Sequence, residues 1–382
     1  AQVGSQVGGA QPGQFEQSGL STDLAGNPTI GKFRVDEGYL ELNVPLLKGL
    51  PLVDLLSINA STRGSKYSNF GNTTNSKLSF VWRPIKDLMA RGTVAEGFRA
   101  PTVGDTFGGG SQSFDSYLDP CDSLHGAAAK TPEGKARCTA AGVPVNFRQV
   151  NQAGNAVASG GGQSPTPFSA GAGNADLKPE TAKTTTLGFV FSPSAVAGLT
   201  VSLDWYKIAI DERITAVSAA YILGQCFTQG VGSFCDDFRR DAVTGQVLSL
   251  NRGNSNLGKL ETEGYDLGLS YRLPATSFGQ FGVRSETSYV QTYKIKSTAT
   301  SDWTDYAGEY PYYRLRSNLA VDWSMGSWSV TYGMRFFAGP KASCWDADTY
   351  CNNPGGTATW GTDYNKLPSV SYHDISVGFK TP

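Results

Sequence analysis

Six cysteines are the residues best equipped for chemistry, and they fall in three local pairs: Cys121 with Cys138, Cys226 with Cys235, and Cys344 with Cys351. Thiols this close in sequence suggest short disulfide-closed loops made in an oxidising compartment. Each closure would contribute about 2–3 kcal/mol by restricting the unfolded chain. The rival chemistry is a metal site, which the sequence disfavours. It has no Cys-x-x-Cys, and its only histidines are His125 and His373. Two histidines so far apart leave a Ser-His-Asp arrangement to coincidence of folding. No Gly-x-Ser-x-Gly elbow occurs. The Gly108–Gly110 and Gly160–Gly162 runs lack the Gly-Lys-Ser/Thr of a phosphate cradle and read as flexible loop. Asp236-Asp237 and Asp119-Pro120-Cys121-Asp122 have the chemistry to hold a cation, but solvated loop acids beside a disulfide are the commoner arrangement. The expectation is a protein without an enzymatic centre, cofactor or metal.

Composition points away from an ordinary soluble protein. The 382 residues are 39% hydrophobic and 17% charged, against about 45–50% and about 25% on average. Small residues fill the gap, with 46 glycines. An apolar outer face, a polar lumen and long small-residue loops would give this profile in an outer-membrane barrel. Net charge is −1, and no Lys/Arg block would draw nucleic acid. No run approaches the roughly 18 apolar residues of a membrane helix. Ala1-Gln2-Val3-Gly4-Ser5 has no signal-peptide character, which suggests a removed signal or an internal fragment.

Alternation with period two dominates the chain. It marks about eleven strands: 39–46, 56–63, 77–82, 88–97, 184–191, 199–208, 261–271, 280–293, 314–323, 328–337 and 373–379. In 261–271, for example, Tyr265, Leu267, Leu269 and Tyr271 oppose Gly264, Asp266, Gly268 and Ser270. The links alternate in length. Short ones cover 47–54, 83–87, 192–198, 273–279 and 324–327. Long ones cover 66–76, 98–183, 211–260, 294–313 and 338–372. Tight turns at one end and large loops at the other are the pattern of a membrane barrel, and every cysteine pair falls in a long loop. A short helix is expected near 215–225, where it would pack a loop. Trp82, Trp205, Tyr206, Tyr271, Tyr312, Tyr313, Trp323, Trp328 and Phe337 sit near strand ends, where interfacial girdles form.

Two strings bracket the longest loop. Glu96-Gly97-Phe98-Arg99-Ala100-Pro101 ends one strand, and Asn174-Ala175-Asp176-Leu177-Lys178-Pro179-Glu180-Thr181 opens the next. Gly97 relaxes the backbone, and Pro101 removes a ladder donor and ends the pairing. Phe98 suits an outer interface. Arg99 can anchor to a neighbouring strand or to the lipopolysaccharide headgroup region.

These strings resemble the barrel of TonB-dependent outer-membrane receptors. Trp82-Arg83-Pro84 with Arg91 and Gly97-Phe98-Arg99-Ala100-Pro101 resembles one family string. Asp176-Leu177-Lys178-Pro179-Glu180 resembles another, with Ala175 where the family usually has proline. Asp204-Trp205-Tyr206 and Thr262-Glu263-Gly264-Tyr265-Asp266 resemble two later strands. The resemblance runs from about Tyr39 to Pro382 and implies an all-β, antiparallel, up-and-down transmembrane β-barrel. About eleven of the family's roughly 22 strands are legible, so a curved open sheet with long external loops is expected. Residues 1–35 would be a loop or strand remnant and 36–382 a partial barrel domain, without the plug and the last strands.

The implied function is TonB-coupled active uptake of a scarce solute across the outer membrane of a Gram-negative bacterium. Siderophore-iron, cobalamin, glycan and peptide all remain open as cargo, because fold does not fix substrate. Implied partners are outer-membrane lipid, lipopolysaccharide and, through a plug, TonB. Arg91, Asp266, Arg284, Glu286, Arg314, Arg316 and Arg335 would line the lumen and face plug or solute. The alternative is mutual pairing across strands, such as Arg284 with Asp266 or Glu286. A passive porin-like channel and a secreted glycan-binding β-protein are the competing functions.

Overall fold

The structure is a computed structural model that describes residues 2–6, 26–342 and 366–381. The Cys344–Cys351 pair lies outside the described residues. Twelve strands follow one another in a meander: β1 Gln2–Gln6, β2 Gly31–Leu50, β3 Val53–Tyr67, β4 Gly71–Ile85, β5 Leu88–Arg99, β6 Glu180–Phe191, β7 Leu199–Ala216, β8 Val247–Arg272, β9 Gln280–Lys296, β10 Leu315–Met325, β11 Trp328–Phe337 and β12 Val370–Phe379. Every neighbouring pair is antiparallel. Each of the eleven strands read from alternation is present, and β1 adds one. β1 and β12 are the outer edges of this path, so the described sheet is open, as expected.

Only residues 51–52, 86–87, 192–198, 273–279 and 326–327 link strands at one end. The opposite end carries the long connections 100–179, 217–246, 297–314 and 338–369. One expected long loop is different. Over 66–76 the ladder continues, and β3 and β4 meet through Ser68–Phe70. Polar residues such as Thr73, Asn75 and Ser76 hid this extension, because an aqueous hairpin needs no apolar face.

The apolar side chains fall on one face and stay in register. Val44, Ile58, Phe80, Gly92, Leu187, Trp205, Tyr265, Tyr289 and Leu315 form one continuous row of paired positions. A parallel row starts apolar at Leu42, Ala60, Leu78 and Val94, then ends at Thr185, Lys207 and Glu263. The apolar band thus runs obliquely to the hydrogen-bond rows, as strands tilted across a bilayer require. Water-exposed apolar surface of this extent is foreign to a soluble monomer: Ile375 is 73% exposed and Leu267 46%.

Aromatics gather at both ends of the sheet. At the short-turn end, the Trp82 indole donates to the Leu52 carbonyl at 3.2 Å and Trp323 to the Phe278 carbonyl at 2.7 Å. Trp328 packs on Phe379 there, with ring centroids 4.7 Å apart. At the loop end the aromatic pairs sit on the inner side: Tyr293, opposite Thr262, stacks on Tyr312 at 4.5 Å, and Phe337, opposite Arg316, packs on Tyr313 at 5.0 Å.

The buried core is not beneath the sheet but in the loops. Tyr117, Phe147 and Phe168 from the 100–179 connection pack with Ile222, Phe227 and Phe238 from the 217–246 connection. The expected helix is there, at Ala219–Gly224. Ser218 caps it by accepting the Tyr221 N–H, and Ile222 and Leu223 are fully buried. It does pack a loop.

A charge on the lipid face should be costly, whereas one on the lumen face should not. Leu267→Arg should lower unfolding free energy in lipid vesicles by about 2–4 kcal/mol. Ser376→Arg, on the opposite face, should stay within about 0.5 kcal/mol. Equal effects in urea titrations of the two variants would contradict this assignment of faces.

Candidate functional site

The two bracketing strings meet. Arg99 ends β5 and Glu180 begins β6, directly opposite in register. Arg99 Nη2 donates to Glu180 Oε1 at 2.8 Å, and Nη1 donates to Asp105 Oδ2 at 3.1 Å. The same Glu180 oxygen accepts the Ile214 N–H at 2.8 Å, so one carboxylate ties β5, β6 and β7. Of the two anchors foreseen for Arg99, this is the neighbouring strand.

The rest of both strings tightens the same junction. Thr102 and Asp105 form a capping box on the short helix Val103–Phe107. Burial pushes the Asp105 carboxyl up, but Thr102 and Arg99 outweigh it and hold it below the usual range. Asn254 Nδ2 donates to Asp105 Oδ1 at 3.0 Å, and Asn174 Nδ2 donates to the Asn254 carbonyl at 3.0 Å. The Lys178 N–H donates to Asn256 Oδ1 at 2.8 Å, and Asn256 Nδ2 donates back to the Lys178 carbonyl at 2.9 Å. Pro101 and Leu177 are buried at this knot, whereas Asp176 and Lys178 are exposed. Gly97 and Ala100 are half-buried, and Phe98 packs edge-on against Tyr67 at 5.8 Å.

Above the knot, the 100–179 and 217–246 loops form one module. Cys121–Cys138 and Cys226–Cys235 are disulfide-bonded, with Cα atoms 5.8 and 5.1 Å apart. Arg240 donates to both Asp119 oxygens, at 2.7 and 2.9 Å. This pair is buried, and the guanidinium lies 4.8 Å from the Phe227 ring centroid and 5.6 Å from that of Phe238. Arg148 holds Asp122 at 3.0 Å. Arg137 donates across the loops to the carbonyls of Phe227 and Thr228, at 2.7 and 2.8 Å. Asp119 and Asp122 are therefore neither solvated nor a cation site. Each is fully buried and neutralised by an arginine. Burial pushes the Asp122 carboxyl up, but the N–H groups of His125, Gln149 and Leu124, with Arg148, hold it below the usual range. The arginines stand up to 121 residues from their partners, and no local spacing signals such a pairing.

The inner wall is charged and largely self-paired. Arg91 donates to both oxygens of Asp204, at 2.9 and 2.7 Å. The two residues lie on β5 and β7, and the guanidinium crosses β6 at Gly188, where any Cβ would collide with the Asp204 carboxylate. Asp204 was legible as polar-facing in the alternation but was missed as Arg91's partner. Arg284 does pair across strands, but with Asp322 at 3.0 Å instead of Asp266 or Glu286. Asp322 lies diagonally across from it on β10. Arg335 meets Asp374 at 3.6 Å and covers the Tyr372 ring. Arg314 serves the loop end, donating to the carbonyls of Gln291 and Ala307 at 3.0 and 2.9 Å. Glu286 and Arg316 have no hydrogen-bond or ion-pair partner among the described residues, and Asp266 faces Asp204 in register.

A transmembrane sheet, charged within and apolar without, carries a disulfide-held loop module over one end. The chain matches the family described as TonB dependent receptor-like, beta-barrel, over residues 3–382. It belongs to that family. Solved siderophore receptors share its fold. The siderophore receptor PirA from Acinetobacter baumannii superposes with a TM-score of 0.56 at 17% identity, covering 92% of this chain and 40% of that one. A mutant ferric enterobactin receptor, PfeA from Pseudomonas aeruginosa, in complex with enterobactin, gives 0.57 at 14% identity, covering 93% and 39%. This TonB-dependent receptor barrel thus spans about 40% of the first of those receptors' length. No curated protein matches its sequence.

Two outcomes test the junction and the module. Arg99→Leu strands the Glu180 carboxylate and should cost about 1–3 kcal/mol locally. It should speed protease cleavage within 100–179 while leaving the barrel band intact on gels. The acid response follows from Asp122 and Asp105. Their folded values lie below the unfolded carboxylate value of about 3.9, so their stabilisation is complete above about pH 4 and is lost as pH falls below it. Loop protection against an acid protease should fall below about pH 4, and Asp122→Asn should flatten that dependence.

Proposed function

We propose that this chain supplies wall and solute-facing loops for a TonB-coupled receptor that takes up a scarce solute across an outer membrane. The observation that carries the reading is the asymmetry of the sheet's two ends. One end closes in links of two to seven residues. The other bears a folded module with its own core, two disulfides and buried ion pairs. Membrane barrels carry short periplasmic turns and longer external loops, so the loop end faces outward and the short turns face the periplasm; disulfides persist on either side of an outer membrane. The exposed apolar band contacts outer-membrane lipid, and the aromatics of its short-turn end meet the headgroups, with lipopolysaccharide on the outer side. Residues 36–382 act as one barrel unit. Arg316, Glu286 and Asp266, free of strong partners on the inner wall, are the groups that meet a plug or passing solute. TonB acts through the plug. The solved receptors of this fold named above are for siderophores, and that class is the first to test.

The test is energised uptake. Cells carrying the full-length protein should accumulate solute above the external concentration, and uptake should collapse with a protonophore or on loss of TonB. A passive channel would equilibrate solute and ignore both treatments. That result would replace the receptor reading with the porin one.

A further inference from the structure

A cavity of about 510 Å³ opens between the two long loops. Its floor is a small sheet in which the strands Gly109–Ser113 and Phe168–Ala172, the start of β8 and Phe238–Arg240 pair edge to edge. Phe168, Leu250 and Phe238 point into the disulfide core. Adjacent residues on a strand face opposite ways, so Ser169, Ser249, Asn251 and Arg239 form the other face. Register places Gln112 beside Ser169, Ser169 beside Asn251, and Ser249 beside Arg239. All five of these groups line the cavity, and Asp236 and Asp237 stand at its side.

The floor is thus a row of amides and hydroxyls, spaced by the strand separation of about 4.8 Å. Amides and carboxylates each present two polar atoms to one plane, which suits adjacent hydroxyls. The charge balance disfavours an anion. One cation, Arg239, stands against two carboxylates, Asp236 and Asp237, which make no ion pair among the described residues. Burial, with Asp236 alongside, already pushes the Asp237 carboxyl up, and a further negative charge would add to that cost.

We infer that this groove binds a neutral polyhydroxylated ligand, an oligosaccharide, as the receptor's first contact with its solute. The inference rests on the uptake reading above and narrows its cargo away from anionic ferric chelates. Two sources share the chemistry: dissolved oligosaccharide and the sugar chains of lipopolysaccharide.

The full-length protein in outer-membrane vesicles is offered labelled neutral oligosaccharides, delipidated lipopolysaccharide chains and ferric enterobactin. Dissolved oligosaccharides should bind, and Asn251→Ala and Asp237→Ala should each weaken binding about tenfold or more. Ser169→Ala, which keeps the backbone ladder, should weaken it while protease resistance of the loops stays unchanged. Ser194→Ala, in a short turn at the far end, should change nothing. The inference is overturned if only ferric enterobactin binds, if only lipopolysaccharide chains bind, or if sugar binding ignores the groove variants. Energised uptake of a different solute with no sugar binding would remove this inference and leave the receptor reading standing. Sugar binding by the groove without energised uptake would do the reverse.

Discussion

The ion pair between Arg99 and Glu180 is the constraint on which the rest of the structure depends. A chain that leaves a membrane wall for eighty residues has no local reason to return to the adjacent position. Here the return is enforced chemically. Glu180 is nearly buried, so its carboxylate must be compensated, and Arg99 and the Ile214 N–H do so from the two flanking strands. The partners fix where β5 stops, where β6 starts and where β7 passes. Asp105, held by the same guanidinium, carries that fixity into the first turn of the loop.

From this anchor the molecule divides into two solvents' worth of physics. The wall inverts the usual arrangement, with leucine and phenylalanine outward and arginine and aspartate inward, because its outer solvent is hydrocarbon. The loops restore the ordinary arrangement. They bury aromatics, close two disulfides and neutralise every fully buried acid among the described residues with an arginine. Asn254 and Asn256, in the first half of the 26-residue strand β8, join the two regimes, since they follow the loop-sheet residues of that strand, pair with the end of β7 and also hold the Asn174–Lys178 string. A ligand captured in the loops would therefore rest on a support continuous with the barrel wall.

Much of this was legible in the sequence. Period-two alternation found eleven strands, because a lipid face and a lumen face impose opposite demands on successive residues. Two cysteine pairings followed from short separation alone. The family strings marked the right junction, although the Arg99–Glu180 contact that explains them joins residues 81 apart. What escaped detection was non-local. Asp119 and Asp122 looked like solvated acids because their arginines come from elsewhere. Arg284 found Asp322 diagonally, which register alone decides. The Ser68–Phe70 hairpin was read as a loop because polar residues on an aqueous strand extension leave no apolar signal. The polar groove is likewise assembled from five separate segments, none unusual alone.

The 100–179 and 217–246 loops form a single folded module pinned to the wall. Native-state hydrogen exchange on the full-length protein in lipid tests it most directly. Amides of Cys121–Gln149 and of Ala219–Leu250 should open together, with one shared opening free energy, and reducing the disulfides should lower both equally. Independent opening energies for the two segments, or a response to reduction confined to one, would contradict the account.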